Sequence, residues 1–269
     1  MDRYLGLSAV DRGQAVEGLT SFVVATVDAA RQVEAPFYHL EFERVFPDDV
    51  YTGMLAAMPV ASDYRPMSGR AKVHDASDGT PTRVKMDLFP EYIRHLPPDK
   101  RAVWDVVGRA LRSAEVKAAF VRRLAPALAH RFGADFARVG LYPIPILTRD
   151  IPGYRITPHT DTHWKGITVQ FYLPRDVSTT HIGTIFHEKL PDGSLPKKRQ
   201  MKFAPNSGYA FAVGTDTWHS ADPVGSEVTT RDSILHTYFV DAGLLRFLRN
   251  RGKRLGNLLL NEIRTSTRR

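Results

Sequence analysis

Residues 157–174 read TPHTDTHWKGITVQFYLP. The second half of that stretch, Ile167 to Leu173, is β-branched, aromatic and apolar and is closed by Pro174, which is the composition of a strand. Five runs of the same texture lie around it, at 139–147, 154–159, 182–186, 208–213 and 234–240. Short strands at this spacing predict a β-sandwich or barrel. Ahead of them the period changes. Val16, Leu19, Phe22, Val23, Val27 and Ala30 recur at helical spacing and predict an amphipathic helix over 14–32. Residues 36–46 read as a strand, and Asp48 and Asp49 place acids at the start of a helix reaching about Met58. Residues 99–132 predict two helices split near Ser113. Between these parts, residues 61–81 are rich in Ser, Asp, Gly and Pro and read as a long loop, with Arg70 and Lys72 as candidates to close over a substrate. Residues 244–263 predict a basic helix with a leucine stripe that docks on the body. The expected organisation is one domain over 1–269: helix-rich support over 1–136, a β core over 137–240 and the basic helix over 241–269.

Composition narrows the classes. With 43% apolar and 25% charged residues the chain is an ordinary globular one, far from a disordered or collagen-like sequence. It has no cysteine, which excludes disulfides, thiolate metal sites and a cysteine nucleophile. The net charge of +8 is unevenly placed. Eight Lys/Arg and the single acid Glu262 fall between Arg246 and Arg269, so the basicity belongs to the tail. Clustered cations invite a nucleic-acid or anionic-surface reading, but their leucine stripe argues for docking instead. No apolar run is long enough to span a membrane and no export signal is visible, so the expectation is a cytoplasmic protein. Oligomeric state is not readable from the sequence.

The chemistry-bearing residues sit in the β-rich half. In a strand, residues i and i+2 point the same way, so His159 and Asp161 can present an imidazole and a carboxylate to one point. A bare His-x-Asp is also what a hydrogen-bonded structural pair looks like. His219 follows 58 positions after Asp161, in Trp218-His219-Ser220, and a second strand can bring it to the same point. Two imidazoles and a carboxylate with the opposite positions open suit non-haem Fe(II). Arg231 and Ser233 can share one face of the last strand. A buried guanidinium needs an anionic partner and its planar fork matches a carboxylate, which points to a dicarboxylic co-substrate.

Taken together, His159-x-Asp161, the strand Ile167–Pro174, the Pro205–Tyr209 turn, Trp218-His219-Ser220 and Arg231-x-Ser233 resemble, in order, the 2-oxoglutarate- and Fe(II)-dependent oxygenases, including the prolyl-hydroxylase-like core of small bacterial members. The resemblance covers roughly residues 137–240. It implies a double-stranded β-helix (a jelly-roll, cupin-like core) with N-terminal helices. It implies His159, Asp161 and His219 as iron ligands, Arg231 as the partner of the distal 2-oxoglutarate carboxylate with Ser233 assisting, and Tyr142 as a further candidate for that carboxylate. It implies O2 as the oxidant, with release of succinate and CO2. A carboxylate at Asp161 disfavours the halogenase variant. Thr237, six residues after Arg231, departs from the second arginine of the nucleic-acid-demethylating branch. The expected activity is hydroxylation of an unactivated C–H of a small polar molecule, an amino acid or natural-product intermediate. The rivals are a prolyl-type protein hydroxylase, a non-catalytic metal-binding β-barrel or sensor, and a binder of anionic surfaces built around the basic tail. Arg149, Tyr154, Arg155, His163 and Trp164, around the metal motif, are the substrate-facing candidates.

Overall fold

The computed structural model describes residues 9–67, 75–76, 78–241 and 252. Arg70, Lys72 and the basic segment 244–263 lie outside the described residues, except for Gly252. Among the described residues twelve strands make two antiparallel sheets. They are β1 (Arg31–Val33), β2 (His39–Phe42), β3 (Arg65–Pro66), β4 (Arg83–Asp87), β5 (Leu141–Asp150), β6 (Ile156–His159), β7 (Lys165–Tyr172), β8 (Ile185–His187), β9 (Lys197–Gln200), β10 (Gly208–Ala212), β11 (His219–Ala221) and β12 (Arg231–Val240). The larger sheet has the order β1-β2-β10-β7-β12-β5-β4-β3 and the smaller β6-β11-β8-β9. From β5 to β12 the chain crosses repeatedly between the sheets, giving the interleaved core orders β10-β7-β12-β5 and β6-β11-β8-β9. That interleaving is a double-stranded β-helix, a jelly roll of two facing sheets and not a closed barrel.

Among the described residues six helices pack on the outer face of the larger sheet: α1 (Ala9–Ala29), α2 (Asp48–Ala56), α3 (Pro90–Ile93), α4 (Pro98–Leu111), α5 (Ala114–Arg123) and α6 (Ala125–Phe132). The expected split at Ser113 is present, its side chain capping α5 by accepting from the Val116 amide at 3.1 Å. A second break at Leu124 separates α6, whose Pro126 stands in the first turn, where a proline is tolerated. The expected loop over 61–81 is partly strand. Arg65–Pro66 pairs with Val84–Lys85, and β4 in turn pairs with β5.

The two-residue period of β7 divides the molecule. All eight of its residues are buried, because the strand is covered on both faces. Ile167, Val169 and Phe171 belong to the core shared with Trp104, Val107, Leu111 and Phe120 of the helices. Thr168, Gln170 and Tyr172 therefore face the other way, into the space between the sheets. In β12, Ile234 and Tyr238 join the helix-side core, so Arg231, Ser233 and Leu235 face the same interior as Gln170. An aromatic cluster of Tyr154, Tyr172, Phe186, Phe203, Tyr209 and Phe211 lines that interior. Gly183 allows the chain ahead of β8 to lie against β9, since a Cβ there would sit 1.6 Å from the Met201 carbonyl oxygen.

Candidate active site

His159 ends β6 and His219 opens β11, and the two are register partners across the smaller sheet. Asp161 follows in the turn between β6 and β7. One ligand atom from each of His159, Asp161 and His219 lies within 4.8 Å of the others. Each imidazole is held by a bond to its own strand: His159 Nδ1 donates to the Thr157 carbonyl at 2.9 Å, and His219 Nδ1 to the Thr217 carbonyl at 3.0 Å. A carbonyl can only accept, so the proton of each neutral ring is on Nδ1, which makes Nε2 the nitrogen that could ligate a metal. Asp161 accepts from Lys165 Nζ at 2.5 Å and from the Thr168 hydroxyl at 2.6 Å. Burial would push its carboxyl up, but the Lys165 ammonium and these hydrogen bonds outweigh that and hold it well below the usual carboxylate range. Two neutral imidazoles and one ionised carboxylate form a donor set that fits a divalent first-row metal such as Fe(II).

One pocket contains the triad and Arg231, with Thr168, Gln170, Thr184, Tyr209, Tyr154 and Arg83 also on its walls. Arg231 is buried. Its Nε donates to the Ile182 carbonyl at 2.9 Å and its Nη1 to Asp150 at 2.8 Å. Its Nη2 is buried and has no hydrogen-bond partner among the described residues. A guanidinium nitrogen left this way is costly unless an acceptor arrives, and a carboxylate is the acceptor it matches.

The interleaved sheets are the double-stranded β-helix expected from the sequence, and they bring His159, Asp161 and His219 together. No family model and no curated protein sequence matches the chain. Among solved structures, a Pseudomonas putida prolyl-4-hydroxylase is similar with a TM-score of 0.48 at 14% identity, over 81% of this chain and 99% of that one. The α-ketoglutarate-dependent epimerase SnoN from nogalamycin biosynthesis gives 0.47 at 13% identity, over 85% of this chain and 82% of that one. A Burkholderia pseudomallei protein described as a 2OG-Fe(II) oxygenase family oxidoreductase gives 0.41 at 15% identity, over 83% and 91%.

Set against the expectation from the sequence, the other candidate residues separate. Ser233 faces the interior as expected, but its hydroxyl is taken by Thr148 at 2.9 Å and by the Gln170 amide at 2.9 Å. It stands behind the pocket wall and joins a buried chain in which Tyr209 donates to Gln170 at 2.7 Å. Tyr142 is a correction: it pairs with Phe239, while Arg231 pairs with Asp150 at the opposite end of the same ladder. Eight strand positions separate Tyr142 from Asp150, about 26 Å at the usual rise, too far to share a carboxylate with Arg231. Arg149 is a second correction. It points away from Asp150's face, bonds Asp232 at 2.7 Å and stacks over Tyr64. Tyr154 does line the pocket, with the Arg83 guanidinium 4.2 Å above its ring. Arg155 and His163 are exposed, and the His163 ring lies tilted against Trp164 with centroids 3.9 Å apart; none of these three is on the pocket wall.

Arg83, Asp150, Lys165, Thr168 and Gln170 are the site residues that sequence reasoning missed. Polar Thr168 and Gln170, two apart in an otherwise apolar strand, were a legible signal of a wet face. Arg83 had none, because only its register opposite Asp150 gives it a role.

Proposed function

We propose that this protein is an Fe(II)- and 2-oxoglutarate-dependent oxygenase that hydroxylates an unactivated C–H of a small polar molecule. The observation that carries the reading is one pocket with a His-Asp-His metal site and a buried, under-coordinated Arg231 in its walls. When bound, Fe(II) and 2-oxoglutarate supply the oxidation: O2 is consumed as the co-substrate goes to succinate and CO2, and one oxygen atom goes to the substrate C–H. The chain's own part is positioning. The Thr157 and Thr217 carbonyls fix the tautomer and plane of the two imidazoles. Lys165 and Thr168 hold the Asp161 carboxylate ionised and oriented. Arg231 anchors the far carboxylate of the co-substrate, and the Tyr154, Tyr209 and Phe211 rings in the interior keep bulk water out.

The test is succinate formation from 2-oxoglutarate under O2 with Fe(II) and ascorbate. The parent protein releases succinate, His219→Ala releases none, and Arg231→Ala loses at least about 90% of the rate, the weight of one charge-assisted anchor. Metal binding without succinate from the parent would instead favour the non-catalytic metal-binding reading.

A further inference from the structure

This inference rests on the oxygenase reading above and concerns a residue outside the motif. Arg83, Asp150 and Arg231 lie side by side across β4, β5 and β12, because Arg83 pairs in register with Asp150 and Asp150 with Arg231. Arg83 grips the Asp150 carboxylate with two bonds, Nε to Oδ1 at 2.6 Å and Nη2 to Oδ2 at 2.8 Å. Arg231 reaches the same carboxylate with one bond only, at 2.8 Å. The Asp150 side chain is 0% exposed, that of Arg231 1% and that of Arg83 10%. Both guanidiniums stay charged, since the adjacent Asp150 outweighs the burial that works against them.

The row therefore holds two cations and one anion. Without Arg83, Arg231 and Asp150 form a neutral pair, and the carboxylate is available to take Arg231 in the fork-to-fork geometry that saturates it. With Arg83 in place, Asp150's lone pairs are largely committed, Arg231 keeps Nη2 without a partner, and one positive charge is left over. A surplus buried charge is tolerated where an anion completes it. Tyr154, 4.2 Å below the Arg83 guanidinium, holds that grip in place.

We propose that Arg83 is a positioning residue for co-substrate recognition: by engaging Asp150 it leaves Arg231 open and the row with one surplus positive charge, and so makes the pocket select a 2-oxo acid with a distal carboxylate. The role is electrostatic and acts through Arg231, so it is counted in charges. Removing Arg83 cancels the surplus, and removing Arg83 and the Asp150 charge together restores it.

The experiment is anaerobic calorimetric titration of Mn(II)-loaded protein with 2-oxoglutarate and with 2-oxovalerate, which has the same chain length and no distal carboxylate. Parent, Arg83→Gln, Arg83→Lys and the double variant Arg83→Gln/Asp150→Asn are compared, with Mn(II) affinity measured separately. Arg83→Gln is expected to keep its Mn(II) and 2-oxovalerate affinities while 2-oxoglutarate binding weakens on the order of 10–100-fold. Arg83→Lys and the double variant recover most of that loss. If Arg83→Gln does not fold, the double variant decides: 2-oxoglutarate affinity near the parent's supports the charge count, and loss of it overturns it. Parent-like binding by Arg83→Gln, or an equal loss for both oxo acids, also overturns it. Failure of the metal-loaded parent to bind 2-oxoglutarate refutes the oxygenase reading itself.

Discussion

His159 and His236 are both buried imidazoles, and their surroundings give them opposite chemistry. His159 has a carbonyl on Nδ1 and a carboxylate and second imidazole beside Nε2, so it is prepared for a metal. His236 lies one residue off the inward face of β12, against Phe120 and Tyr238 on the helix side, and neither ring nitrogen has a hydrogen-bond partner among the described residues. Burial, with Arg112 adding to it, pushes its pKa down to about 3 from the usual 6.5. The folded state thus resists the proton that the unfolded chain accepts. Stability is unaffected above about pH 6.5 and falls as pH drops towards 3, by up to about 1.4 kcal/mol per pH unit from this one group. Urea titrations of the parent and of His236→Leu between pH 7 and pH 4 check this: the variant is expected to show the shallower acid decline. Parallel declines would mean that His236 is protonated or solvated in the folded state.

At the scale of elements, the candidate metal site is braced by a helix that contributes none of its three residues. Arg131, in the last turn of α6, donates to the carbonyls of Lys165 and Val213, both at 2.5 Å, and of His163 at 2.7 Å. It ties the turn just after Asp161 to the chain leaving β10, a few residues ahead of His219. Arg131→Met is expected to weaken Mn(II) binding about tenfold, the lower end of the cost of losing an outer support of a metal site, with His159, Asp161 and His219 all intact. An unchanged Mn(II) affinity would show that the two segments hold their positions without the clamp. The same scale explains what the sequence could and could not tell. The strand runs and the His159-x-Asp161 and His219 pattern were legible because side-chain alternation is local. Arg131 and Arg83 were not, since their partners are set by which elements pack or pair. Tyr142 was misjudged for the same reason: it is on the expected strand, but antiparallel pairing places it at the end opposite Arg231. β9 and β11 are short, with β9 polar and exposed or half-buried, and leave little periodic signal.

For the whole molecule, one sheet does two jobs. The outer face of the larger sheet is buried under the helices, and its inner face, opposed by the smaller sheet, carries the polar pocket. The two-residue period of β7 and β12 keeps the jobs apart, so the support and the chemistry can vary independently. Among the described residues no helix is long and apolar enough to cross a membrane. The charges that matter to the site are few and buried: Asp161 with Lys165, and Asp150 between Arg83 and Arg231. The central claim is that the two ends of this pocket hold Fe(II) and 2-oxoglutarate together. It is tested most directly by adding both to the protein without oxygen and recording the visible metal-to-ligand charge-transfer band of the chelate. The account predicts a band in the parent protein that saturates with 2-oxoglutarate, vanishes in His219→Ala, and needs much more co-substrate in Arg231→Ala. A parent protein that binds Fe(II) and 2-oxoglutarate yet shows no band, or shows none because neither binds, would contradict it.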